Sequence, residues 1–436
     1  MSETLRVGIA GVGTVGAAVA RLLARQSEAL ASRTGRKIIV TAFSARDPGK
    51  ERDADLSGCQ FFTDPSALAA SPAIDLFVEL IGGAEGPARA SVETALTHGK
   101  SVVTANKALL AAHGVELAAL AEQKHAALAF EASVAGGIPI VKTLREGLAG
   151  NSIRRVYGIL NGTCNYILSR MEREGLSFEQ CLSEAQKLGY AEADPTFDIG
   201  GFDTAHKLSI LASLAFGVKI EPDAIDIEGI ERVTLADIEA AAELGFRIKL
   251  LGVAQRTADG VEQRVHPTMV RKSTPIAEVM GVLNAVTIDA DAVNELTLVG
   301  PGAGGDATAS AVVADIADIA RGVRSAPFGV PAEGLLELVR APMRRHEGGY
   351  YIRLSVPDVP GAFAGIATRM AERGISLESI MQHGGKRGAG REDGAPVGVI
   401  LITHATSEHL VREALEAIHR DGAVKTPAQV IRIERE

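Results

Sequence analysis

In residues 5–25, LRVGIAGVGTVGAAVARLLAR, a buried-strand pattern runs into GVGTVG and then directly into a helical pattern. This junction constrains the fold more than any other stretch. Gly11 permits a tight turn at the strand end, Gly13 lets the backbone approach a pyrophosphate, and Gly16 allows close helix-to-sheet packing. The helix N-terminus, from Thr14 and Val15, offers unpaired N–H groups to an anion. A lone GxGxxG is weak evidence, but strand, turn, helix and a following strand (KIIVTAFSA) are all present here. Dinucleotide binding is therefore the reading, with a purely structural turn as the alternative.

The alternation continues. AIDLFVELIG, SVVTA and AALAFEA read as strands, separated by the helical patterns ARASVETALTHG and KALLAAHGVELAALAEQ. Strands divided by helices pair in parallel through right-handed crossovers, so residues 1–135 are expected to form a Rossmann-type doubly wound sheet, completed by a helix over 303–322. Residues 136–302 place helices (TCNYILSRMERE, FEQCLSEAQKLG, TAHKLSILASLAFG) before strands with hairpin-length connections, which predicts an α+β domain on a largely antiparallel sheet. Pro327, Pro331, Pro342 and the run RRHEGG mark 323–349 as a linker. Residues 350–436 read as strand, helix, strand, strand, helix, strand, a ferredoxin-like unit.

Composition removes several functions. A net charge of -9 offers no basic face to nucleic acid or anionic lipid. No apolar run reaches membrane-spanning length, and MSETLRVGIA enters a strand pattern at once, leaving no room for a signal peptide. Cys59, Cys164 and Cys181 are odd in number and scattered, as expected of reduced thiols in a cytoplasm.

Ser44, Ala45 and Arg46 stand where an NAD-selective site usually has a carboxylate. Arg46 can pair with a 2′-phosphate, which favours NADP over NAD, unless it is only a solvated loop residue. Further on, AEADPTFDIGGFDTAHK (191–207) crowds four carboxylates, His206 and Lys207 against an apolar helix. With a helix from about Asp203 to Phe216, His206, Ser209 and Ser213 fall on one side and Lys207, Leu208, Leu211 and Ala215 on the other. Lys207 is expected to face the interior with Asp203 one turn before it, and His206 to be solvent-directed or make a peripheral contact. Glu192, Asp194 and Asp198 are expected in a non-helical loop shaped by Pro195 and Gly200–Gly201. An ammonium among apolar neighbours is disfavoured, and adjacent carboxylates favour its charged, donating form. The plain alternative is a capped helix with a surface ion pair, which leaves the interior facing of the lysine without a purpose.

AQKLGYAEADPTFDIGGFDTAHK (185–207) carries Gly189, Asp194-Pro195, Asp198, Gly201, Asp203 and Lys207 at the spacing of the homoserine dehydrogenase signature, and the chain resembles that family. TANK (104–107), EASVAGGIPI (131–140) and LNGTCNYIL (160–168) are similar to other family landmarks, so the resemblance covers roughly residues 1–325. VPDVPGAFAGIATRMAERGISLESIMQ (356–382) is similar to the ACT regulatory domain that follows the catalytic part in many members.

The resemblance implies reduction of L-aspartate 4-semialdehyde to L-homoserine by NAD(P)H, on the route to threonine, methionine and isoleucine. It makes 136–302 the catalytic substrate-binding and dimerisation domain of a homodimer or homotetramer. Lys207 is assigned as proton donor, held by Asp203. Glu192 is assigned to the substrate's amino acid end, with Asp198 and Asp203 also at the substrate. Lys107 is placed at the junction of cofactor and substrate, where its plain alternative is a solvated first-turn lysine. Thr104, Lys107, Gly302 and Gly304 join the cofactor set, although GPGAGG is otherwise a flexible start to a helix with Asp306 as N-cap. The family turn over Glu131, Val134, Gly136 and Ile138 binds a monovalent cation, typically sodium; the alternative is a glycine-rich turn without metal. ACT domains usually pair across an interface and bind an amino acid there, here near Asp358–Gly361, with threonine the candidate. A chain cut after about residue 325 is then expected to stay active, whereas the long HGGKRGAGREDGAPVG segment (383–398) departs from a tight hairpin. Without the resemblance, the residues reach only NADP-linked reduction of a small polar carbonyl compound. Another amino acid or 2-oxoacid dehydrogenase on this fold, or a non-catalytic nucleotide and amino acid sensor, would then remain as readings. The joint presence of Glu192, Asp203 and Lys207 counts against the sensor.

Overall fold

Every pairing in the N-terminal sheet is parallel, as the strand–helix alternation requires. The computed structural model describes residues 3–47, 49–341, 347–383, 396–424 and 426–434. Strands β1 (Thr4–Ala10), β2 (Lys37–Ser44), β3 (Gln60–Phe62), β4 (Leu76–Glu79), β5 (Ser101–Thr104) and β6 (Leu128–Ala129) lie in the order β3-β2-β1-β4-β5-β6. The order reverses between β1 and β4, which places a crevice at their carboxyl ends. Helix Gly305–Ala320 returns to pack on helix Thr14–Arg25 and completes this layer.

Several local readings change. The first helix, Thr14–Arg25, ends at Gln26, after which Ser27–Thr34 forms a separate helix ended by Gly35 in the left-handed region. The strand Gln60–Phe62 went unread because it has only three residues. The first strand of the second domain, β7 (Ile153–Ile159), was hidden because IRRVYGI places two arginines within it. Thr196–Ile199 forms a short helix where a non-helical loop was expected.

The second sheet also contains β8 (Asp226–Ile227), β9 (Phe246–Thr257), β10 (Gly260–Arg271), β11 (Leu283–Ala290) and β12 (Asn294–Pro301). The C-terminal part adds β13 (Glu347–Pro357), β14 (Leu377–His383), β15 (Pro396–Thr403), β16 (Thr406–Ser407) and β17 (Gln429–Glu434). Among these, β17-β13-β15-β14 is the antiparallel ferredoxin-like order, with helices Ala362–Ala371 and Glu408–Arg420 packed together. Most of the glycine-rich 383–398 segment lies outside the described residues.

The two C-terminal units share one sheet. β17 pairs in parallel with β10 through Thr268–Arg432, Met269–Ile433 and Val270–Glu434, giving the path β12-β11-β7-β9-β10-β17-β13-β15-β14. Across this join Asp237, fully buried, accepts from Arg353 Nε (2.6 Å), Arg353 Nη2 (3.0 Å) and Tyr351 Oη (2.8 Å). Burial pushes the Tyr351 hydroxyl well above its ordinary range, with Asp237 adding to the shift. Arg264, equally buried, pairs with Glu262 and with Glu434 of β17.

The described part of the 323–349 segment is a packed strap. Phe328 is buried against Phe130 at 5.2 Å between ring centroids, Leu336 bonds Gly217 and Lys219, and Val339 and Ala341 bond Val261.

Candidate active site

At the end of β1, the three glycines differ in the space around them. Gly11 has φ 93°, and a Cβ there would lie 2.4 Å from the Leu80 carbonyl oxygen. At Gly16 a Cβ would strike the Gly11 carbonyl at 2.2 Å, while at Gly13 it would meet nothing within 4 Å. The open side at Gly13 is where a phosphate can approach the N-terminus of helix Thr14–Arg25. Thr14 is exposed, Val15 partly so. Arg46, just beyond β2, is exposed and has no hydrogen bond or ion pair among the described residues.

GPGAGG meets this turn. Gly304 (φ 110°) caps helix Gly305–Ala320, so Asp306 is not the N-cap, and a Cβ on Gly305 would lie 3.1 Å from Thr14 Cγ2. Gly302 instead packs against Gly136: a Cβ on Gly136 would lie 2.5 Å from its carbonyl oxygen.

β4 and β5 end in a polar network. Thr104 is fully buried; its hydroxyl donates to Glu79 at 2.5 Å and accepts from the Asn106 N–H at 3.0 Å. Its side chain is therefore occupied within the protein. Glu79 also accepts the N–H groups of Ile81 and Gly82 (2.7 and 3.0 Å), and Asn106 caps helix Lys107–Gln123 through Leu109 N–H at 3.1 Å. The cap starts the helix at Lys107, whose ammonium reaches across to the second domain.

There Asp203 joins both lysines. Its Oδ1 lies 3.0 Å from Lys107 Nζ and its Oδ2 2.7 Å from Lys207 Nζ, and Lys207 also donates to the Leu160 carbonyl at 2.7 Å. Asn161 Nδ2 donates to Asp203 (2.9 Å) and Asp198 (2.8 Å), while its Oδ1 caps the next helix at Cys164 N–H. Burial opposes ionisation of Asp203, but Lys207 and then Lys107 outweigh it and hold the carboxyl well below the usual range. Burial raises Asp198, against the Asn161 hydrogen bond. An ammonium carries three N–H donors, and protein groups occupy two of them on Lys207, leaving one for a bound oxygen.

The structure thus brings Lys107, Asp198, Asp203 and Lys207 together. Glu192 is exposed and its carboxylate makes no described contact with them; its carbonyl accepts from Gln186 at 3.0 Å. The interior facing and one-turn spacing of Lys207 and Asp203 hold. The supposed solvent side of their helix does not: Ser209 and Ser213 are buried, and so is most of Phe202–Phe216. Of the two expectations for His206, the structure has the peripheral contact and not the solvent-directed ring. It is half-buried, edge-on to Phe197 at 5.4 Å and 76°, and burial together with Lys107 lowers its basicity. Asn161 and Glu79 were not assigned roles from sequence. Asn161 had the signal of an N-cap residue ahead of a helical pattern, and Glu79 that of a lone carboxylate ending an apolar run.

At the candidate cation turn, Ala135 and Gly136 are consecutive left-handed residues (φ 54° and 49°). Glu131 is buried and caps Val141 and Lys142 with its two carboxylate oxygens (2.8 and 2.9 Å). Burial and Asp315 raise it to about 7. With those oxygens engaged, its carbonyl is the atom left to offer, and Ile138's carbonyl already accepts from Ile140. No cluster of three or more His, Cys, Asp or Glu able to hold a metal occurs among the described residues. The turn thus fits a weakly held ion bound through carbonyls, not a carboxylate cage.

A parallel sheet with an open glycine turn at its switch point, facing a lysine–aspartate–lysine cluster, defines an NAD(P)-dependent oxidoreductase with an appended regulatory-type domain. Family models match in three segments: the homoserine dehydrogenase NAD binding domain over 11–131, homoserine dehydrogenase over 139–317 and the ACT domain over 350–423. The chain is 45% identical to homoserine dehydrogenase of Pseudomonas aeruginosa, covering 99% of both. It superposes on a homoserine dehydrogenase from Thiobacillus denitrificans with TM-score 0.91 and 43% identity, covering 99% of this chain and 98% of that one. A hyperthermophilic archaeal homoserine dehydrogenase in complex with NADPH matches at TM-score 0.62 and 30% identity, covering 72% of this chain and 97% of that one. The chain belongs to the homoserine dehydrogenase family. It reduces L-aspartate 4-semialdehyde to L-homoserine with NAD(P)H, a step toward threonine, methionine and isoleucine.

Proposed function

We propose that Lys207 delivers the proton in this reduction, positioned by Asp203, with Lys107 beside it at the junction of the two domains. The observation that carries this is the Asp203 bridge, which fixes both ammonium groups and leaves Lys207 one free donor. Bound NAD(P)H supplies hydride to the aldehyde carbon. Negative charge then develops on the aldehyde oxygen, and the free N–H of Lys207 stabilises it and passes the proton to it. Asp198, held by Asn161, bounds the same space, and exposed Glu192 is free to meet the substrate's ammonium group. Absorbance assays of NADPH and NADH oxidation with L-aspartate 4-semialdehyde, and with simple 2-oxoacids as controls, test the reading; no turnover of the semialdehyde with either cofactor removes it.

NADP is the preferred cofactor on this reading, because Arg46 is exposed and without a partner among the described residues. Arg46→Asp should lower kcat/KM with NADPH far more than with NADH, since it replaces a phosphate partner by a repelling charge. Equal losses with both would separate Arg46 from the 2′-phosphate.

The turn over Glu131, Val134, Gly136 and Ile138 holds a sodium ion through its carbonyls, and its contact with Gly302 would let the ion stiffen the cofactor-side turn. Replacing sodium chloride by tetramethylammonium chloride at equal ionic strength should lower Tm; an unchanged Tm argues against the site. The ACT domain binds threonine near Asp358–Gly361, where Gly361 starts helix Ala362–Ala371 without a side-chain cap, so that the positive end of the helix is open to a carboxylate. The enzyme acts as a homodimer or homotetramer, which sedimentation equilibrium reads directly. Among the described residues no helix is long and apolar enough to cross a membrane, in keeping with a cytoplasmic site of action.

A further inference from the structure

Glu79 ends β4 fully buried, and its carboxylate makes no ion pair among the described residues. Neutral donors hold it instead. One oxygen accepts the N–H groups of Ile81 and Gly82, and the other accepts the Thr104 hydroxyl. Thr104 accepts from the Asn106 N–H, and Asn106 Nδ2 donates to the Gly83 carbonyl at 2.7 Å, so a closed ring of hydrogen bonds joins the ends of β4 and β5. That ring does not require a charge. A glutamine at 79 would accept the same two N–H groups and turn its amide N–H to Thr104, with no carboxylate taken out of water. The charge therefore calls for another purpose.

Its place in the sheet supplies one. Leu80 follows Glu79, and its carbonyl oxygen closes on Gly11, so the carboxylate borders the crevice at the switch point. A dinucleotide laid there has its adenosine end at β2 and its pyrophosphate at Gly13, which leaves the side of β4 and β5 for the nicotinamide. Gly82 and Gly83, exposed and each at φ 87°, keep that side free of side chains. Lys107, one residue beyond Asn106, reaches from the same side to Asp203, the carboxylate it shares with Lys207.

Hydride transfer to the aldehyde carbon leaves one positive charge on the nicotinamide ring and one negative charge on the aldehyde oxygen. Two fixed charges of opposite sign flank that movement. The Lys207 ammonium stands on the oxygen side, in the second domain, and the Glu79 carboxylate on the ring side, within the sheet of the first. Charges held by hydrogen bonds in a site that excludes water act strongly and need no reorganisation as the transfer proceeds.

We infer that Glu79 acts on the cofactor through its field, without touching it: the buried carboxylate stabilises the cationic ring of the oxidised cofactor relative to the neutral ring of the reduced one, and so favours departure of the hydride. The inference rests on the reading that places the reacting end beside Lys107 and Lys207.

The test uses the full chain without substrate. Kd values for NADPH, by fluorescence, and for NADP⁺, by calorimetry, are measured on the wild type, Glu79→Gln and Glu79→Asp, after circular dichroism and Tm have shown that each is folded. Glu79→Gln should raise the Kd of NADP⁺ relative to that of NADPH by at least about fivefold, and in turnover it should lower kcat with little change in the KM for NADPH. Glu79→Asp keeps the charge and should hold the ratio within about twofold of the wild type, even where both constants rise because the shorter side chain loosens the ring. An unchanged ratio in Glu79→Gln overturns the inference. So does a ratio that moves as far in Glu79→Asp as in Glu79→Gln, because the carboxylate then serves only its hydrogen bonds. Should neither variant fold, the wild type decides: it should bind NADP⁺ no more than about tenfold more weakly than NADPH, and a wider gap overturns the inference. If Lys207→Ala keeps near wild-type turnover while the ratio responds as expected, the proton-donor reading fails and the role of Glu79 stands.

Discussion

Lys207→Ala should lower kcat roughly a hundred- to ten-thousand-fold, the usual contribution of a positioned general acid, with cofactor affinity little changed. His206→Gln should cost less than about tenfold. Histidine is the residue usually assigned proton transfer near neutral pH, but here burial and Lys107 disfavour its charged form and its ring is set against Phe197. Lys207 has the geometry instead: two donors fixed at 2.7 Å and one left over. The lysine variant should fold, because Asp203 keeps Lys107 and Asn161 as partners. Circular dichroism and Tm check this before kinetics are read. A folded, inactive His206→Gln beside a Lys207→Ala with near wild-type turnover would reverse the assignment.

A chain ending after residue 325 should be recovered aggregated or unfolded, the opposite of what the sequence led us to expect. The cut removes β17 and exposes the hydrogen-bonding edge of β10. It strips Asp237, fully buried, of Arg353 and Tyr351, and Arg264 of Glu434. Both groups lose partners that satisfied them at the join, and the apolar surface that β13 and β17 cover is exposed to water. The strap is lost too, and with it the packing of Phe328 on Phe130. The archaeal relative matches only 72% of this chain, so the catalytic fold itself does not demand the extension. What would distinguish this chain is the shared sheet and the charged contacts at the join. Size-exclusion chromatography of the truncated protein decides: a soluble, monodisperse, active fragment would show that the join is dispensable.

The parts of the site that were legible in sequence depend on local rules. GVGTVG announced its turn because only glycine tolerates the Leu80 and Gly11 carbonyls at the distances found. Asp203 and Lys207 are one helical turn apart, so their contact followed from spacing. The solvent side of that helix was misjudged because Ser209 and Ser213 look polar in a list, yet hydroxyls are small enough to be buried within the domain. Lys107 was placed at the junction of cofactor and substrate by the family resemblance, but nothing local could show that it shares Asp203 with Lys207, because the contact crosses two domains.

By itself, then, the sequence determined the parallel nucleotide-binding layer, the ferredoxin-like order at the C-terminus and the one-turn pairing of Lys207 and Asp203. Each rests on short-range geometry: steric exclusion at glycine, a strand period of two and a helix period of 3.6. Tertiary structure alone decided that Asn161 ties Asp198 to Asp203, that Asp203 joins lysines exactly one hundred residues apart in the chain, and that β17 completes the catalytic sheet beside β10. Those contacts are specified by which surfaces remain to be buried once the local elements exist. An unpaired strand edge and a buried carboxylate find their partners by desolvation cost, which carries no signature in the spacing of residues along the chain.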